Sequence, residues 1–125
     1  MSSLVTYDQL SRMKHSFEQL FQEQPLFQQF FVKILRLTQQ SKIRFGFIFY
    51  VIRDKPLPDK FKPEKNKHEI MHGLIDLCVQ LRQAFPQQMK ELVRIVDQNL
   101  EYGYNNMARL ILGDSIESLL NEVRK

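Results

Sequence analysis

The sequence is poor in the residues that usually announce a chemistry. It has no tryptophan, one cysteine and four glycines. A lone thiol, Cys78, excludes an internal disulfide framework and a cysteine-rich zinc site, and it suits a reducing compartment. No glycine-rich phosphate loop, nucleophile elbow or Ser-His-Asp set is visible. Long apolar runs are also missing. The longest, Phe45 to Ile52 with Gly46 inside it, is far short of the roughly 20 residues that a transmembrane helix needs. The start, Met1-Ser2-Ser3-Leu4, has no basic segment leading into an apolar one. No membrane insertion and an intracellular, cytoplasmic location are therefore expected.

What is present is ordinary for one globular unit. The 125 residues are 43% apolar and 26% charged, enough to bury a continuous core, so a single helical domain over 1–125 is expected. The net charge of +4 permits an acidic partner without demanding one. Thirteen glutamines are scattered over helix faces rather than gathered in a tract.

Apolar residues at steps of three and four mark the helices. Leu10, Met13, Phe17, Leu20 and Phe21 form the stripe of a first helix. After a short connection at Gln22 to Gln24, Pro25 suits a first-turn position, and Leu26, Phe27, Phe30, Phe31, Ile34 and Leu35 draw a wide apolar face on a second. Ile43 to Ile52 is ambiguous, because it alternates like a strand while filling both faces. With no second convincing strand to pair with, it reads as a buried helix. Asp54 to Lys67, with Pro56, Pro58 and Pro63 among lysines and acids, reads as a loop. Beyond it, Ile70, Met71, Leu74, Ile75, Cys78 and Leu81 mark a fourth helix, and Phe85-Pro86 breaks it. Met89, Leu92, Val93, Val96 and Leu100 mark a fifth. A turn around Gly103 leads to a last helical stretch that Gly113 interrupts, with a fresh start capped by Asp114 in view. The expected fold is an all-α, single-domain bundle of five or six helices, built as two helical hairpins joined by the Pro/Lys-rich loop at 54–67.

Four patterns bear on function. The sharpest is His68-Glu69-Ile70-Met71-His72, which resembles the H-E-x-x-H motif of the zincin metallopeptidases. On a helix, two imidazoles four apart can close on one zinc ion while the glutamate between them activates a water. The resemblance implies His68 and His72 as ligands and Glu69 as general base. Glu91 has the spacing of the downstream glutamate in one zincin branch. In a simple hairpin, however, His72 lies about 20 Å before the turn and Glu91 only about 8 Å after it, which favours Glu101 as third ligand. The same residues also fit a solvated face, since Glu69, His72, Asp76 and Gln80 follow one another opposite the apolar stripe.

The second pattern, Phe45-Gly46-Phe47-Ile48-Phe49-Tyr50, resembles the last six positions of the RNP1 strand of RNA-recognition domains, although Arg44 stands where that motif has glycine. The third is the basic loop. Arg53, Lys55, Lys60, Lys62, Lys65 and Lys67 face only Asp54, Asp59 and Glu64, an excess of three positive charges. The fourth is the aromatic load, ten Phe and four Tyr, concentrated in the first half. It makes either a thick core or a groove for a partner.

Lacking a complete catalytic set, the chain reads first as a small intracellular binding or regulatory protein. It would act by protein contact through an apolar helical groove or through the six loop cations, without a cofactor. A compact zinc-dependent hydrolase is the alternative, with Glu69 as base and His68, His72 and Glu101 as ligands. Nucleic-acid binding through Arg44, Arg53 and the lysines is another. A homodimer through apolar helix faces also fits the composition.

Overall fold

Seven α-helices and no strand make up the residues that the computed structural model describes, 5–61 and 65–123. They are α1 (Tyr7–Glu23), α2 (Pro25–Gln40), α3 (Phe45–Ile52), α4 (His68–Ala84), α5 (Pro86–Gln98), α6 (Tyr104–Leu112) and α7 (Ile116–Val123). Single 3-10 turns occur at Asp59–Phe61, Lys65–Lys67 and Leu100–Tyr102. The all-α reading holds. The helix number is higher than expected because Gly113, at φ 103, ends α6 outright instead of interrupting one long helix. Ser115, not Asp114, then caps the fresh start, its Oγ accepting the Ser118 N–H at 3.1 Å. The Asp114 carboxylate accepts from Arg109 Nε at 2.6 Å instead.

Helix ends follow from local chemistry. Thr6 and Gln9 form a reciprocal capping box at the start of α1. Two helix junctions use one device. Gln24 precedes Pro25 and Phe85 precedes Pro86, and steric clash with a following proline keeps each out of the helical region. Each proline then occupies the first helical position, where its missing N–H costs nothing. The connection between α1 and α2 is thus Gln24 alone, shorter than the sequence suggested. Each sequential pair is in contact, and the two pairs face each other, α1 on α5 and α2 on α4.

Helix α3 lies among α2, α4, α5 and α6. A helix that is apolar on all sides must be buried, and Phe47, Ile48 and Phe49 are fully so. Rings connect it to the rest. Phe17, Phe21, Phe27 and Phe31 of α1 and α2 meet in sequence at 6.1–6.5 Å between centroids. Phe31 then meets Phe49 of α3 at 6.2 Å, and Phe49 stacks on Tyr104 of α6 at 5.4 Å. Tyr50 carries the series from Tyr104 to Phe61, at 5.5 and 5.4 Å. Such pairs add about 0.5–1.5 kcal/mol each beyond the area they bury.

The loop at 54–67 also contributes to the core. Its Phe61 is buried in the 3-10 turn Asp59–Phe61, against Gly46 and Tyr50. The C-terminus of α3 is held by arginine. Arg82 Nη2 of α4 donates to the Ile52 carbonyl at 2.7 Å, placing a cation at the negative end of the helix dipole. No helix among the described residues is long and apolar enough to cross a membrane.

Among the described residues, two turns carry a non-glycine residue at positive φ. After α2, Lys42 sits at φ 58, with its N–H on the Gln39 carbonyl and the Ile43 N–H on the Thr38 carbonyl, a Schellman ending. Asp54, at φ 57, does the same after α3. A lysine there carries a left-handed penalty of about 1 kcal/mol that glycine avoids. Lys42→Gly is therefore expected to raise unfolding free energy by about 0.5–1 kcal/mol in urea titrations, and Lys42→Val to lower it by about 1 kcal/mol.

Candidate functional site

The first turn of α4 carries the H-E-x-x-H segment. His68, Glu69 and His72 are all exposed there. Glu101 is exposed in the 3-10 turn Leu100–Tyr102 and is not gathered with them. Among the described residues no three His, Cys, Asp or Glu side chains come together as a metal-holding set. The donors at hand are thus two imidazoles with one carboxylate between them, short of the three protein ligands of a catalytic zinc site. Glu91 is engaged elsewhere. It pairs with Arg94, whose hydrogen bonds hold its carboxyl below the usual glutamate value.

The RNP1-like segment is helical, so no strand presents its aromatics to bases. Phe47 and Phe49 are instead fully buried core. Periodicity could not separate the two readings, because an apolar run of eight fills every face of either element.

The six loop cations are not equivalent. Arg53 is turned inward, with its guanidinium bonded to Asp97 Oδ1 at 2.7 Å and to the Tyr104 hydroxyl at 2.8 Å. It also lies 5.8 Å from the centre of the Tyr50 ring. It ties the end of α3 to α5 and α6. Lys55 is exposed beyond the turn at Asp54. Lys62 lies outside the described residues, and Lys65 is described only as the start of a 3-10 turn. Lys67 reaches back to donate to the Lys42 carbonyl at 3.1 Å. Lys60 rests over the Phe61 ring, 5.1 Å from its centre.

Lys60 and Lys67 meet two cations from outside the loop. Two adjoining cavities, of about 510 and 160 Å³, open beside the N-terminal turn of α3. Ile43, Arg44, Lys60 and Phe61 line both and so form the ridge between them. The larger continues over Phe45, Gly46, Tyr104 and Asn105; the smaller is completed by Lys42, Lys67 and Met71. Among the described residues, four cations and no carboxylate line this trough. No ion pair holds Lys42, Arg44 or Lys60 among the described residues.

The trough owes its shape to Gly46. A Cβ there would meet Phe61 Cζ at 2.6 Å and Tyr104 Cδ2 at 3.2 Å, so only glycine admits both rings at this distance. Burial raises the Tyr104 hydroxyl above its ordinary pKa, so at neutral pH it remains a neutral phenol. The sequence offered Lys60 and Lys67 as loop charge and Arg44 as part of a nucleic-acid pattern. It gave no signal for Lys42, Phe61 or Tyr104, whose meeting depends on turns far apart in the chain.

No family model, curated protein or solved structure matches the chain.

One potential nucleophile is withdrawn from chemistry. Cys78 is buried in α4, and burial pushes its thiol up to about 12, against a smaller lowering by Arg82. The unfolded thiol ionises near pH 9 while the folded one stays protonated. The folded state therefore binds the extra proton between these values, and stability falls as pH rises from about 9 towards 12. Urea titrations across this window should show a shallower decline for Cys78→Ala than for the parent. At pH 8 the folded parent should react with iodoacetamide at least 100-fold more slowly than the unfolded chain.

Proposed function

We propose that this is a small binding or regulatory protein that acts by contact with a protein partner, and that the trough beside α3 is its contact surface. The observation that carries this reading is the charge of the trough: four cations and no carboxylate among the described lining residues, with apolar Ile43, Phe45, Phe61 and Met71 between them. Opposed potentials steer encounter and fix register, and apolar contact supplies the area that holds the complex. Lys60 and Lys67 are the loop cations that serve this surface, joined by Lys42 and Arg44, whereas Arg53 acts on the fold. Protein is favoured over nucleic acid because the cations converge on one short trough instead of forming a stripe along a backbone track.

The test is site-specific crosslinking in cells that make the protein. A photoreactive phenylalanine at Asn105, in the trough, is expected to trap a discrete protein adduct that Arg44→Glu with Lys60→Glu abolishes. The same group at Gln87, on the opposite α1–α5 surface, should trap none. An adduct that ignores charge reversal, or that forms only from Gln87, contradicts the reading.

A further inference from the structure

Resting on that reading, we infer that the segment recognised in the trough is an acidic peptide carrying an aromatic or large apolar side chain next to its carboxylates. The two cavities differ in kind. The larger, about 510 Å³, is bounded by Phe45, Gly46, Phe61 and Tyr104. That space accepts a whole aromatic side chain, and contact with three rings rewards one. The smaller cavity is framed by Lys42, Arg44 and Lys67, with Met71 behind, and it takes charge rather than bulk.

Arg44 and Lys60 border both, so anion and ring must lie close together in one ligand. A purely acidic stretch would leave the larger cavity to water, and a purely apolar one would gain nothing from Arg44 and Lys60. Arg44 suits a carboxylate particularly, because its planar guanidinium offers paired donors. Lys60 is already in place over the Phe61 ring, which leaves it less conformational freedom to lose on binding.

The experiment uses ¹⁵N-labelled full-length protein and the peptide acetyl-Glu-Asp-Phe-Glu-Glu-amide as probe, with a second peptide bearing Ser for Phe. The expected result is saturable movement of the Gly46 and Gly103 amide signals, with affinity at least tenfold weaker for the Ser peptide. Arg44→Glu with Lys60→Glu should weaken both peptides at least tenfold. Asn105→Trp, which fills the larger cavity without altering charge, should remove the advantage of Phe over Ser and leave the Ser peptide unchanged. Equal affinity for the two peptides overturns the inference while leaving an acidic contact intact. Absence of movement with either peptide overturns it too. Displacement of the Phe peptide by a twelve-residue oligothymidylate at lower concentration than by the peptide itself overturns it in favour of nucleic acid. Loss of the Asn105 crosslink in cells, by contrast, removes the contact reading beneath it.

Discussion

Helix α3 has no face that water would accept. Eight residues, Phe-Gly-Phe-Ile-Phe-Tyr-Val-Ile, present apolar surface in every direction, and so short a helix has little stability of its own. It persists because four helices enclose it and because two arginines finish its C-terminal end, Arg82 on its last carbonyls and Arg53 through Asp97 and Tyr104. The rest of the bundle is arranged to meet that demand. The ring series from Phe17 to Phe61 passes through α3 twice, and the loop sends its own phenylalanine back to cover the remaining opening.

Covering that opening creates the trough. Phe61 approaches because Gly46 offers no side chain, and Lys60 is carried with it to stand beside Arg44. The Schellman ending of α2 brings Lys42 to the same rim, and Lys67 is drawn across by its bond to the Lys42 carbonyl. A concentration of positive charge thus arises along the rim of the trough. Recognition would then cost little reorganisation, since both cavities are bounded by helix ends and packed rings.

How much of this the sequence made legible varies with the kind of signal. Residues such as Leu10, Met13 and Phe17 repeat at helical spacing, so α1 and its neighbours could be read from periodicity alone. For α3 the reading came by elimination, since an all-apolar octet has no contrast between faces. Phe61 escaped notice because a single apolar residue among prolines and lysines has no period. Arg53 and Lys60 look alike in a count of loop charge, yet one ties α3 to α5 and α6 and the other lines the trough. The H-E-x-x-H segment shows the reverse: its spacing was legible, but a motif cannot say whether a third ligand faces it. The trough itself combines residues 39, 42–46, 60–61, 67, 71 and 103–105, a meeting set by packing rather than by any local pattern.

The close packing of Phe61 on the glycine of α3 is the central claim, and a double-mutant cycle on Gly46 and Phe61 tests it most directly. Unfolding free energies would be measured in urea for the parent, Gly46→Ala, Phe61→Ala and the double variant. The account predicts strong coupling between the two sites. With Phe61 present, the added methyl meets the ring and should destabilise by about 1–2 kcal/mol despite the better helix propensity of alanine. With Phe61 removed, only the Tyr104 contact at 3.2 Å remains, and the same substitution should cost at least about 1 kcal/mol less. A Gly46→Ala effect of the same sign and size in both backgrounds would contradict the account.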